Sequence, residues 1–156
     1  MRAVAILVLC GGVASAEPPR LALGAGAGVA LQSDQYVAGV HGGARGLGAS
    51  FVDAELVLQG GRGPDYWTVR AGLHVRPRLE VRGFHGALIF GPGLYHHRPH
   101  GAFATFCERA DLTCRGTGLG IEGGLALGWR WFSLEYLIAS GDLPLHTFVS
   151  KVTFWP

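Results

Sequence analysis

The stretch from Tyr66 to Arg76 alternates without a break. Trp67, Val69, Ala71, Leu73 and Val75 fall on one parity, and Thr68, Arg70, Gly72, His74 and Arg76 on the other. Only a period of two separates the sets this cleanly, so the segment is a β-strand with one apolar face and one charged face. It runs about ten residues, twice the usual globular strand and the length that crosses a bilayer when tilted.

The same design recurs along the chain. Leu21 to Gln32 sets leucines and Val29 against small residues, and Tyr36 to Gly48 sets Tyr36, Ala38 and Val40 against His41 and Arg45. Phe51 to Gly60 sets Val52, Ala54, Leu56 and Leu58 against Asp53, Glu55 and Gln59. Phe84 to Tyr95, Thr117 to Trp131, Ser133 to Ile138 and Thr147 to Trp155 follow, with Gly- and Pro-rich turns such as 61–65 and 141–144 between strands. Pro77 to Arg82 reads as the connection after the first-named strand. The count is eight strands joined as consecutive hairpins. An even number of antiparallel neighbours closes into an up-and-down barrel with no exposed edge.

Sidedness decides what kind of barrel this is. A soluble eight-stranded barrel puts apolar side chains inside. Here the polar parity carries Asp53, Glu55, Arg70, His74, Arg76, Glu122, Arg130, Glu135 and Lys151, acids and bases interleaved with glycine, which suits a narrow lumen of paired charges. A last hairpin turning about Leu143 sets Glu135 directly across from Lys151, and a turn near Gly63 brings Asp53 and Glu55 toward Arg70, His74 or Arg76. The large aromatics gather at strand ends. Tyr36, Tyr66, Trp67 and Tyr95 lie at one end, and Phe51, Phe84, Trp129, Trp131, Phe132, Phe154 and Trp155 at the other, as in two interfacial girdles. The expected fold is therefore an all-β, eight-stranded antiparallel transmembrane barrel. Val69→Arg is expected to be costly if that residue lies near mid-membrane.

The start of the chain agrees. Met1-Arg2, the apolar run Ala3 to Cys10 and Ala14-Ser15-Ala16 read as a cleaved signal peptide over 1–16, with the barrel over 17–156. Export leaves Cys107 and Cys114 in an oxidising compartment, where the simplest expectation is one local disulfide bracing the long loop 96–116. The net charge of +2 and scattered arginines give no basic stripe for nucleic acid.

In architecture, across nearly the whole expected mature length, the chain resembles the small bacterial outer-membrane barrels of the OmpA/OmpX type. The features that carry the resemblance are the dyad-repeat strands, the loop asymmetry with its long loop at 96–116, and the aromatic-rich end Val152-Thr153-Phe154-Trp155-Pro156. Such barrels usually finish on an aromatic residue that resembles an assembly signal; here Pro156 follows Trp155. The resemblance implies a Gram-negative outer-membrane location and a monomer in contact with outer-membrane lipid. It also implies a structural or surface-interaction role, the 96–116 loop meeting an extracellular ligand or protein.

Other chemistries find less support in the residues. His96, His97 and His100 sit at the start of the long loop, yet loop histidines are more often solvated than ligating, so no metal or cofactor is assigned. A lipid-modifying enzyme could use His146, Ser150 and Glu135, but His146 and Ser150 lie four apart and at different depths, so the chain is read as non-enzymatic. A narrow pore and a soluble ligand-binding barrel complete the alternatives.

Overall fold

A computed structural model describes residues 20–47, 51–140 and 145–154. The expected signal peptide, the turns at 48–50 and 141–144, and the terminal Trp155 and Pro156 lie outside the described residues. Eight strands run β1 (Arg20–Ala30), β2 (Gln35–Arg45), β3 (Val52–Arg62), β4 (Tyr66–Val81), β5 (Phe84–Pro99), β6 (Gly116–Trp129), β7 (Phe132–Ser140) and β8 (Leu145–Phe154). Each pairs antiparallel with the next, and β8 returns to β1 to close the barrel.

One end of the cylinder holds the connections β1–β2, β3–β4, β5–β6 and β7–β8 and is called here the loop end. The other is the turn end. At the turn end β4 and β5 are joined by Arg82-Gly83, both in left-handed backbone with φ of 51° and 85°. Two successive positive φ values match the right-handed twist of a tight hairpin. This hairpin is longer than the alternation predicts. Pro77 and Arg78 continue β4 rather than leave it, because Arg78 N–H finds Phe51 O at 2.7 Å and Arg78 pairs with Ala87.

The faces are inverted relative to a soluble barrel. Leu21, Leu23, Leu56, Leu73, Leu119, Ile121 and Leu127 are exposed on the outside, while Glu55, His74, Glu122, Glu135 and Lys151 are buried within. Small apolar side chains such as Ala30, Val37, Ala87 and Ala126 fill the inner wall between them. The small residues of β1 serve its seam with β8. A Cβ at Gly24 or Gly28 would fall on the Val152 or Phe148 carbonyl, so glycine lets these two strands lie close.

The long loop differs from its expectation as an irregular segment. β5 runs on to Pro99, and the loop that follows holds a helix, α1 (Gly101–Arg109), which carries Cys107. Gly101 opens it in left-handed backbone with φ 60°, where an L side chain is strained.

Candidate functional site

The interior is crossed by an ionic belt that no single hairpin could assemble. Alternation along β3, β4, β6, β7 and β8 points Glu55, Arg70, His74, Arg76, Glu122, Glu135 and Lys151 inward. Arg76 Nη1 donates to Glu55 Oε2 at 2.5 Å and Nη2 donates to Glu135 Oε1 at 2.5 Å. Lys151 Nζ donates to Glu55 Oε2 at 3.0 Å and forms an ion pair with Glu135, 2.7 Å from its Oε2. The result is a square of two bases and two acids spanning β3, β4, β7 and β8.

A second cluster sits toward the loop end. Arg70 Nε donates to Glu122 Oε1 at 2.6 Å and its Nη1 to Gln59 Oε1 at 2.9 Å. Glu122 also accepts from Arg70 Nη2, from His74 Nε2 and from the Tyr95 hydroxyl. Glu122 and His74 are 1% and 0% exposed, so these bonds replace water for groups that cannot reach it. Gly93 faces the Glu122 carboxylate, and a Cβ there would collide with Oε1. The glycine is the space in which the acid sits. His74 joins the clusters, its Nδ1 lying 3.7 Å from Glu55 Oε2.

A third group lines the turn end. Asp53 forms ion pairs with Arg78 and Arg45, its Oδ2 lying 3.1 Å from Arg78 Nε and 3.8 Å from Arg45 Nε, while Glu80 pairs with Arg78 and, at 3.5 Å, with Arg45. His41 Nε2 and Thr153 Oγ1 lie 3.0 Å apart.

Two of the expected girdle residues and one lumen residue are placed differently. Tyr95 shares the inward parity of β5 and spends its hydroxyl on Glu122, so it belongs to the lumen. Tyr66 shares the inward parity of β4, and its ring packs on His97 and Phe103 under the loop at 5.9 and 5.0 Å between centroids. Arg130 borders the turn-end cavity but takes no part in the ion-pair network of the lumen. β6 ends at Trp129, Arg130 takes left-handed backbone with φ 54°, and its guanidinium lies 4.8 Å from the Trp129 ring centroid. Tyr36, Trp129, Trp131, Phe132 and Phe154 are exposed near strand ends, and Trp67 packs against His96. Gln59, His41, Arg45, Arg78 and Tyr95 enter the polar interior in addition, and their inward parity was the signal for each.

The belt fills the cylinder. A cavity of about 50 Å³ lies on its turn side, between His41, Asp53, Arg76 and His85, and one of about 20 Å³ on its loop side, between Gln59, Tyr95, Glu122 and Thr147. Each has room for a water or a few, since one probe sphere needs about 10–15 Å³. Neither is a path for solute.

The loop histidines do not converge. The period of two puts His96 and His97 on opposite faces of β5. His96 Nδ1 lies 2.8 Å from Thr117 Oγ1, and His100 Nε2 donates to Gly63 O at 2.8 Å. On the outer wall His146 Nδ1 and the Tyr136 hydroxyl are 2.5 Å apart. Ser150 shares that face, but Glu135 points inward to Arg76 and Lys151, so His146, Ser150 and Glu135 form no hydrogen-bonded triad.

Cys107 and Cys114 form a disulfide between α1 and the segment leading into β6. In the chain-entropy picture a ring this short stabilises the loop by about 2 kcal/mol. Reduction, or Cys114→Ser, is expected to speed trypsin cleavage after Arg109 and Arg115 while leaving the barrel's β-sheet circular dichroism unchanged. Loss of the sheet signal on reduction would show that the loop holds the barrel together.

A closed eight-stranded barrel with an apolar outside and an ionic inside is the architecture of the small outer-membrane barrels. The fold recurs in a solved structure. The N-terminal β-barrel domain of Pseudomonas aeruginosa OprF superposes with a TM-score of 0.68 at 11% identity, over 89% of this chain and 100% of that one. Neisserial surface protein A (NspA) superposes with a TM-score of 0.47 at 9% identity, over 87% of this chain and 96% of that one. No protein-family model matches the sequence, and no curated protein matches it.

Proposed function

We propose that this chain is a bacterial outer-membrane barrel, exported on a signal peptide cleaved after residue 16. It acts as a non-enzymatic structural and surface-interaction component whose disulfide-braced loop offers the contact to an extracellular ligand or protein. The observation that carries the reading is the inversion of faces. Large apolar side chains ring the outside on every strand, and a hydrogen-bonded set of acids and bases occupies the centre. In water that arrangement exposes far more contiguous apolar wall than a monomer tolerates. In hydrocarbon it is the stable one, because a closed barrel leaves no backbone amide unpaired.

The test is insertion. The refolded chain is expected to enter phospholipid vesicles, to resist protease across its strands, and to migrate faster on a gel unheated than boiled. A chain that stays in the aqueous phase as a stable monomer contradicts the reading. The filled lumen makes a second expectation: planar bilayers containing the chain should show no steady conductance. A continuous open level would mean that the belt parts in the membrane.

A further inference from the structure

The turn end carries a groove on its outer wall. Register sets Leu79, Gly86, Leu127 and Leu134 side by side across β4 to β7, with Phe84 and Trp129 paired one step nearer the turns. The leucines and aromatics of this patch are exposed, and Gly86 contributes no side chain between Leu79 and Leu127. The gap is a notch in the oily wall. The groove has a volume of about 550 Å³, within the roughly 300–1,000 Å³ of small-molecule sites.

Two cationic turns stand at its rim. Arg130 N–H donates to Gly83 O at 2.8 Å, which holds the Arg82-Gly83 turn against the Arg130-Trp131 turn. Both arginines are exposed, and their backbones are left-handed with φ of 51° and 54°. The Arg130 guanidinium stacks over the Trp129 ring, and the Trp129 indole Nε1 lies beside Gly83, level with the turns. Glu80, the acid nearest this rim along the chain, is already taken by Arg78 and Arg45. An apolar slot thus opens beneath two arginines and an indole.

We propose that this groove binds one anionic phospholipid. The acyl chain lies over Gly86 between Leu79 and Leu127, and the phosphate is held at Arg82 and Arg130. A zwitterionic lipid offers the same chain but brings its own cation to the arginines, so charge complementarity selects the anionic headgroup. The proposal rests on the membrane reading above.

Its test uses the full chain with Trp67, Trp131 and Trp155 replaced by Phe, reconstituted in phosphatidylcholine vesicles that contain dibrominated lipid, with Trp129 emission as the readout. Dibrominated phosphatidylglycerol is expected to half-quench Trp129 at a mole fraction at least fivefold lower than dibrominated phosphatidylcholine, the increment of a single basic side chain at an anionic surface. Arg82→Gln with Arg130→Gln should bring the two lipids together. Gly86→Leu should weaken quenching by both. The new Cβ meets Leu127 Cδ2 at 3.6 Å and Ala126 O at 3.9 Å, ordinary contacts, and points away from the lumen, so that variant is expected to fold. An inserted chain quenched equally by both lipids overturns this site alone, as does selectivity that survives loss of both arginines. A chain that does not enter vesicles overturns the membrane reading and the site with it.

Discussion

Leu73→Arg is expected to destabilise the inserted barrel by about 2–4 kcal/mol, the cost of a basic side chain on the lipid face at the bilayer midplane. Leu73 is half exposed on the outer face near the middle of β4 and pairs with Leu56. The strand's extension to Val81 moves its centre away from Val69, which lies three residues from the loop end. Val69→Arg should therefore cost less, toward about 1 kcal/mol, as the same scale falls to near zero at the interface. Urea unfolding from vesicles, monitored by gel shift, measures both. Indifference at Leu73, or equal costs at the two depths, would mean that the wall does not face hydrocarbon. On a water-facing wall the same arginine would do no harm, so the two environments differ in the size of the effect and in its dependence on depth.

Arg76→Met is expected to cost about 3–5 kcal/mol, the penalty for removing one partner from a buried charge pair. The guanidinium links Glu55 on β3 to Glu135 on β7, and both carboxylates are buried. Without it Lys151 is, among the described residues, the one Lys or Arg left between the two acids, with His41 and His74 lying 3.8 and 3.7 Å from Glu55. The informative measurement is a cycle with Glu135→Gln, which should recover a large part of the loss because it removes the stranded charge. Losses that simply add would show that the pair is not coupled. The same cycle applied to Arg78 and Glu80 should give a coupling of about 1 kcal/mol or less, since Glu80 is exposed to water.

Face assignment was legible in the sequence because a strand's two faces differ by one residue, and that difference is written in the composition. Glu55, His74 and Glu122 are inward by parity, and Leu56, Leu73 and Ile121 outward. Register was less legible. Counting turns set Glu135 opposite Lys151, whereas Lys151 pairs with Ser133 and Val149 takes the place across from Glu135. A slip of two keeps every side chain on its own face, so no pattern of polarity can detect it. The ion pair survives diagonally because a lysine is long enough to reach.

Arg130 and Tyr95 mark two other limits. Arg130 continues the alternation of β6 in sequence but sits beyond the last paired residue, where backbone φ and not parity directs the side chain. Tyr95 has the composition of an interfacial aromatic and the parity of a lumen residue, and its hydrogen bond to Glu122 on the neighbouring strand β6 decides between them. The cluster around Glu122 involves four strands at once and cannot be read from any one of them. The helix α1 is similarly hidden, being a single short element with one buried residue, Cys107.

The seam between β1 and β8 bears on how the molecule comes into being. Seven of the eight strand pairs join chain neighbours and can zip as hairpins, but Leu23 meets Phe154 only after nearly everything between them has been made. Because distant contacts are slow to form, this seam is expected to close last, and until it does the sheet has two raw edges. Its final segment then acts as the latch, and whatever holds those edges apart from other chains until the latch engages governs the yield of folded protein.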